Sequence, residues 1–267
     1  MGIFLYTTFY NEKNLDRRSE LEEAIRINSS LSPISKIYVF NEGDNLSSIN
    51  PKKIVDIPIS SRPTYLDFIK HINSNNPQDN IHLIANTDIF FDQNIEVLNR
   101  IELKDICLAL GRWDTTEVDK PVLYDHNDSQ DVWVFKGEIK KELLSNYPLG
   151  VPRCDNRFMY DLELAGYQVR NPAFSIKAYH LHKGQVNVVY SEEDNTYHIK
   201  GPYRYLYPHN QYSFIKTIMF NLQSPSKLGS YRYDIKKINQ WWVLKAWRRV
   251  YKLIKGKDMP LIGYDIS

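Results

Sequence analysis

Asn86-Thr87-Asp88 stands directly after the apolar run Ile81-His82-Leu83-Ile84-Ala85, and Asp92 follows four residues later. An apolar run of that length, closed by polar turn residues, has the pattern of a strand buried in the middle of a sheet. Carboxylates at the carboxyl end of such a strand lie where open α/β sheets hold their ligands. They also supply the oxygen atoms that a hard divalent cation takes, usually together with substrate phosphates. Asn and Asp at strand ends equally form Asx turns and helix caps. Both uses are therefore open for Asn86 and Asp88, while Asp92 suits the cap of a helix beginning near Asn94. Two further acids stand at the heads of elements, Asp131 before an apolar strand and Asp155 at the start of a helix. A carboxylate so placed can take a proton as a general base, or simply cap the helix, with Asn156 competing for that job. His180 and His182 complete the set. Two residues apart on a continuing strand, they share a face, and imidazole can ligate a metal or meet an anion.

The elements that must position these residues follow one another in an alternating order. Ile3–Thr8 reads as a first strand, followed by the polar loop Asn11–Asp16 and an amphipathic helix over Ser19–Asn28, with Leu21, Ala24, Ile25 and Ile27 as its apolar stripe. Lys36–Asn41 and Lys53–Ile57 read as strands, and Pro63 opens a helix over Thr64–Ile72. After Asp92 come a short helix over Asn94–Asn99 and a strand over Asp105–Leu110. Gly111–Ser129 is polar and turn-rich, a loop long enough to suggest function. Asp131–Phe135 is a strand, Ile139–Ser145 a helix, and Phe158–Ala165 a helix closed by Gly166. Tyr167–Arg170 and Ser175–Tyr179 are two more strands, the second running into His180. Strands alternating with helices predict a largely parallel sheet covered by helices.

Composition sets the outer bounds. With 267 residues the chain suits one large domain, or one domain with a C-terminal extension. Its net charge of +2 is too small to say anything about nucleic acid, so the placement of the basic residues matters instead. Cys107 and Cys154 have neither metal spacing nor a disulfide framework, which suits a reducing cytoplasm. The segment Met1–Thr8 lacks the basic and long apolar parts of a signal peptide, and Met1-Gly2 alone is too weak for lipidation. No run of 18 apolar residues occurs, so no membrane span is expected.

Taken in order, these parts resemble the GT-A-fold glycosyltransferases, particularly bacterial enzymes that build surface polysaccharides of the capsule and O-antigen type. The resemblance covers residues 1–185. It rests on a first strand ending in Thr7-Thr8-Phe9-Tyr10, on Arg62-Pro63-Thr64-Tyr65 with Asp67 before the middle strand, and on Asn86-Thr87-Asp88 in the manner of a DxD motif. Cys154-Asp155-Asn156-Arg157 opens a helix as that family's acidic motif does, and His180 and His182 follow a late strand. Two departures stand out: Asn86 replaces the first acid of the DxD, and Cys154 precedes Asp155 where a second acid is usual.

The resemblance implies an α/β fold of the Rossmann-like GT-A kind, a mixed, mostly parallel sheet flanked by helices, over residues 1–189. It implies an inverting transferase moving a sugar from a nucleotide-diphosphate donor, with a UDP-sugar favoured, to a glycan or polyprenyl-linked acceptor. Manganese or magnesium would be held by Asp88 with His180 or His182, acting on the charge that builds on the diphosphate. Thr8, Phe9 and Tyr10 would line the base pocket, Arg62 would pair with the diphosphate, and Asp67 would accept from a pyrimidine or orient Arg62. Core packing for Phe9 and Tyr10 and a surface ion pair for Arg62 are the plainer accounts. Asn86 would reach the metal or the donor ribose, and Thr87 and Arg157 join the nucleotide-sugar contacts. Asp155 would be the base and Asp131 its runner-up. A sugar nucleotidyltransferase would carry a glycine-rich loop after the first strand, and Thr7–Asp16 has no glycine. A catalytically silent nucleotide- or carbohydrate-binding protein on the same scaffold is the other alternative, supported by Asn86.

Residues 190–267 form an aromatic and basic extension. Between Ile235 and Lys257 there are eight Lys or Arg and no acid. On a helix over 236–257, Trp242, Val243, Ala246, Trp247, Val250, Leu253 and Ile254 share one side. Lys245, Arg248, Arg249, Lys252 and Lys255 take the other. That pattern suits either a helix lying on an anionic membrane, on the inner face of a cell, or one packing on the protein's own core. No nucleic-acid partner is expected.

Overall fold

Ile3, Leu5 and Phe9 belong to one hydrophobic cluster while Tyr6 and Phe4 belong to another, so the first strand is buried on both faces and alternates between them. In the computed structural model this strand, β1 (Ile3–Phe9), lies near the middle of a seven-stranded sheet. The described residues are 2–43, 46, 52–75, 79–116, 121–182, 198–211, 215–216 and 242–256. The chain divides into two units, Met1–Thr217 and Ile218–Ser267.

In chain order the first unit contains β1, α1 (Leu15–Ser30), β2 (Ile34–Asn41), β3 (Ile54–Pro58), α2 (Tyr65–Asn75), β4 (Ile81–Ala85) and β5 (Ile89–Phe90). A 3₁₀ helix (Gln93–Arg100), β6 (Ile106–Leu110), β7 (Arg112–Thr116), β8 (Val122–Leu123) and β9 (Val132–Lys136) follow. Then come α3 (Cys154–Leu164), β10 (Gln168–Arg170) and β11 (Ala178–His182). The large sheet has the order β10-β6-β9-β4-β1-β2-β3. Its pairs are parallel except for those of β9, which runs antiparallel to both β4 and β6. A small sheet, β5-β11-β7-β8, stands beside it. The fold is thus α/β with a mixed, mostly parallel sheet flanked by helices, as the sequence pattern requires.

The two faces of the large sheet differ in chemistry. One is largely aliphatic: Leu21 and Ile25 of α1 join one cluster with Ile37, Val39, Leu83, Leu108 and Val134. The other is largely aromatic: Tyr38, Phe40 and Trp133 meet Phe68 of α2 and Phe158 of α3. Tyr65 stacks on Phe158 with centroids 3.9 Å apart, and both present edges to Trp133 at 5.1 and 5.6 Å. Aromatic pairs in these geometries add about 1 kcal/mol each beyond their buried area. This cluster fixes α2 against α3, and with it the start of α3, where Asp155 stands.

Three expectations need correction. The loop expected over Gly111–Ser129 contains β7 and β8, because Arg112–Thr116 pairs in parallel with Ala178–His182 and Trp113 pairs with Leu123. The helix expected over Ile139–Ser145 does not form. Its backbone groups are spent elsewhere: Asn73 brackets Ile139, accepting from its N–H at 2.9 Å and donating to its carbonyl at 2.8 Å. The Ser145 carbonyl accepts from the N–H of Leu66 at 3.0 Å. Finally, the strand expected over Ser175–Tyr179 starts later, at Ala178, since the N–H groups of Ser175 and Ile176 both turn back to the Pro172 carbonyl. His180 therefore lies inside a strand.

In the second unit the structure describes α4 (Trp242–Lys255). The first six residues of the stretch 236–257 lie outside the described residues, as do the side chains of Trp242, Val243 and Lys245.

Candidate functional site

From β1 the chain turns through α1 to β2 on one side of β1, and α2 later returns it to β4 on the other side. Where strand order reverses in this way, a crevice opens beyond the carboxyl ends of the two strands. At that point of this sheet Thr8 and Thr87 are in contact. The Thr87 hydroxyl donates to the Thr8 carbonyl at 2.8 Å, and the two hydroxyl oxygens lie 2.7 Å apart. Asn86 is bound to the head of β9: its N–H donates to the Asp131 carbonyl at 3.0 Å, and its side-chain amide to Asp131 Oδ1 at 2.6 Å.

Asp88 is 9% exposed and is the hub of a charged chain of side chains. Its Oδ2 accepts from Arg17 Nη2 of α1 and lies 3.2 Å from His180 Nε2 of β11. Arg17 also donates to Glu20 at 2.9 Å, and Glu20 is itself buried. The parallel register of β11 and β7 sets His180 beside Asp114, and His180 Nδ1 lies 3.1 Å from Asp114 Oδ1. Arg112, two residues earlier on the same face of β7, donates to that oxygen at 2.9 Å and comes within 3.6 Å of Asp131 Oδ2. Burial alone would raise the Asp88 pKa, but the His180 hydrogen bond and charge, with Arg17, hold it well below the usual carboxylate range. Burial would lower that of His180, yet its bonds to Asp114 and Asp88 raise it to about 9.

Asp155 meets different surroundings. Arg153, in the left-handed region at φ 69°, turns the chain into α3 without a side-chain cap. Asp155 Oδ1 then accepts from the Asn156 N–H at 2.9 Å and Oδ2 from the Gln130 N–H at 3.3 Å. Burial pushes its pKa up to about 7, with the nearby Asp131 charge adding to the rise against those two bonds. Burial also raises Asp131, and Arg112 only partly offsets it. Residues 198–211 run over this end of the site: Ile199 donates to the Pro152 carbonyl, Arg204 to that of Asn156 and Leu206 to that of Asn127.

The other expected residues are dispersed. Phe9 is fully buried in the aliphatic core, while Tyr10 is half-buried near Arg17. Arg62 is exposed and donates to the Gly150 carbonyl at 3.0 Å. Asp67 accepts from the N–H and hydroxyl of Thr64, both at 2.8 Å, and so closes the first turn of α2. Arg157 donates to Asp161 at 2.8 Å and to the carbonyls of Lys200 and Gly201 at 3.2 and 3.1 Å. Asp92 caps the 3₁₀ helix through the Asn94 N–H and accepts from the Tyr179 hydroxyl at 2.8 Å. The side chain of His182 lies outside the described residues.

Sequence reasoning missed Arg17, Arg112 and Asp114. Arg17 was hidden because α1 begins at Leu15 rather than Ser19, its polar first turn being capped by Asn14 at 3.1 Å. Asn14 is the one signal that could have moved that boundary. Arg112 and Asp114 alternate with Trp113 in a strand pattern that the neighbouring turn residues obscured.

Two described side chains, Asp88 and His180, offer donor types that a divalent cation accepts, short of a closed metal centre. Asp88 Oδ1 is buried and has no hydrogen-bond partner among the described residues, and the imidazole of His180 lies on the same carboxylate. Carboxylate plus imidazole suits manganese, with phosphate oxygens and water completing the shell. Among the described residues no group of three His, Cys, Asp or Glu could by itself hold a metal ion.

No protein-family model matches the chain, and no curated protein matches it. Among solved structures it is similar to the mannosyltransferase PcManGT from Pyrobaculum calidifontis in complex with GDP-Man and Mn2+, at 10% identity and a TM-score of 0.46, covering 69% of this chain and 58% of that one. It is similar to S. aureus TarS 1–349 in complex with UDP-GlcNAc, at 8% and 0.46, covering 74% and 62%. It is also similar to the 4-diphosphocytidyl-2C-methyl-D-erythritolsynthase from Anaerococcus prevotii, at 12% and 0.42, covering 73% and 93%. The chain spans less than two thirds of the first two structures. At TM-scores below 0.5 these likenesses transfer no residue role and no activity.

Proposed function

We propose that this protein is an inverting glycosyltransferase that moves a sugar from a nucleoside-diphosphate donor, a UDP-sugar first, to a hydroxyl of a glycan or polyprenyl-linked acceptor in surface-polysaccharide synthesis. One observation carries the reading. Two carboxyls, Asp88 and Asp155, have different surroundings. Asp88 faces Arg17 and His180, and a chain through His180, Asp114, Arg112 and Asp131 leads from it towards Asp155, which meets backbone N–H groups and is raised to about 7. The first suits the diphosphate end of a donor and the second suits proton abstraction from an acceptor. In the proposed reaction the acceptor oxygen attacks the anomeric carbon, Asp155 takes the hydroxyl proton, and the bond to the diphosphate breaks with its electron pair leaving on the phosphate oxygen. Asp131 holds Asn86 and stands as the second candidate base. Asp88 and His180 would hold manganese or magnesium, which when bound neutralises charge on the leaving diphosphate. Thr8, Tyr10, Asn86 and Thr87 would contact the nucleoside.

A screen of nucleotide sugars with manganese, read by hydrolysis and by protection against melting, tests the reading. One nucleotide class should raise the melting temperature and release nucleoside diphosphate. Protection without turnover, even with polyprenyl-linked acceptors, would favour the silent binding protein, and no protection by any of them would end the reading.

The acceptor side extends the proposal to the membrane. Trp247, Val250, Leu253 and Ile254 of α4 are exposed, by 54, 43, 86 and 71%, and the helix carries five basic residues and no acid. Anionic lipid would attract the basic residues and then cover the apolar ones. None of the described helices is long and apolar enough to cross a bilayer.

A further inference from the structure

A histidine that binds a metal through one ring nitrogen is commonly held by a carboxylate on the other, which fixes ring orientation and raises the basicity of the ligating nitrogen. His180 has that arrangement. Nε2 points to Asp88 at 3.2 Å and Nδ1 to Asp114 at 3.1 Å. Asp114 is not left to swing: Arg112 donates to the same Oδ1 at 2.9 Å, and the guanidinium lies over the Tyr124 ring at 4.4 Å. The register of β7 on β11 places Asp114 and His180 opposite each other, and the Thr115 hydroxyl ties the strands again by donating to the His180 carbonyl at 3.0 Å. The far end of Arg112 comes within 3.6 Å of Asp131, which in turn accepts from Asn86.

We infer that Asp114 is the residue that positions His180 to hold a divalent cation, and that Arg112 positions Asp114. The inference rests on the proposed reading of an ion shared with a nucleoside diphosphate. Asp114 touches neither the ion nor the donor. It holds the imidazole ring by accepting from its Nδ1–H, which keeps Nε2 against the Asp88 carboxylate, whose Oδ1 is buried with no described partner. Arg112 has a second effect, because its charge also faces Asp131, so one strand couples the diphosphate end of the crevice to the head of β9.

The test is manganese affinity in the presence of UDP, measured by titration calorimetry on the full chain, with electron spin-echo spectroscopy of the bound ion. Wild-type protein should show the nitrogen coupling of one imidazole. Asp114→Ala should weaken manganese by about 10- to 100-fold and lose that coupling while the melting temperature stays within a few degrees. Asp114→Asn, which keeps an acceptor oxygen in the same place, should recover most of the affinity and the coupling. If Asp114→Ala fails to fold, Asp114→Asn against wild type still decides, because an unchanged coupling with an Asn acceptor supports the geometric role and a lost coupling overturns it. Wild-type binding of manganese with UDP that is unaltered in Asp114→Ala would overturn the inference and leave the transferase reading intact. Failure of the wild type to bind UDP at all would overturn both.

Discussion

Just after β4 Asp88 faces Arg17 and His180, and at the start of α3 Asp155 accepts from the backbone N–H groups of Gln130 and Asn156. Both carboxyls are largely removed from water, and burial works to raise both. For Asp88 the neighbouring cations outweigh burial; for Asp155 two neutral N–H donors do not, and the charge on Asp131 adds to the rise. Dipoles and full charges are thus unequal remedies for desolvation. Two acids of one type have their pKa values pushed apart by what surrounds them, so that one stays an anion while the other can take up and release a proton.

Removing the titrating acid is the most severe way to break the comparison. Asp155→Asn should lower turnover by a factor on the order of 10² to 10⁴, the usual worth of a positioned base, and leave UDP binding near that of the wild type. If Asp155→Asn keeps its turnover while Asp131→Asn loses it, the base is Asp131.

Replacing the ionised acid should act on stability as well. Asp88→Asn leaves Arg17 and His180 facing a neutral amide, and breaking one side of a buried charge pair costs about 3 kcal/mol. Urea denaturation should show a lowered midpoint with an unchanged slope. A loss under about 1 kcal/mol would mean that the pair behaves as an exposed one.

The pH dependence sharpens the contrast. Because the folded-state pKa of Asp155 is raised from 3.8 to about 7, the native state holds a proton that the unfolded chain has lost within that window. Stability should therefore fall as pH rises from about 4 towards 7, and turnover should rise over the upper part of the same range as the base becomes ionised. Asp155→Asn should flatten the stability slope. An unchanged slope in chemical denaturation at pH 5, 6 and 7 would remove Asp155 as its source.

Smaller effects come from farther away. Arg157→Ala deletes the bonds to Asp161 and to the carbonyls of Lys200 and Gly201. It should cost about 1 kcal/mol, and UDP affinity should change little if Arg157 serves the 198–211 segment rather than the nucleotide. A large loss of UDP affinity would return Arg157 to the donor site.

The least effect on either carboxyl is expected from truncation before Lys236. The truncated protein should melt as the full chain does but no longer sediment with anionic liposomes, and binding by the full chain should weaken in high salt. Early melting with unaltered sedimentation would assign the segment to a protein core instead.

Local pattern and tertiary structure divided the work unevenly. The apolar run Ile81–Ala85 and its polar end were legible because a strand buried on both faces needs unbroken apolar sequence, and the chain must turn where that ends. The same logic made β1, β2 and the stripe of α1 readable, and hence a mostly parallel sheet. The sequence could not show that β9 enters antiparallel between β4 and β6, since an apolar strand carries no mark of direction. Nor could it show that Ile139 and Ser145 give backbone hydrogen bonds to α2, because a competing partner 66 residues away leaves no trace in local periodicity. Asp88, Asp155 and His180 were recognisable by type and position. The protonation of Asp88 and His180 depends on Arg17, Asp114 and Arg112, and that of Asp155 on burial and Asp131, neighbours that only strand register and helix packing bring into the range in which charge and desolvation decide a pKa.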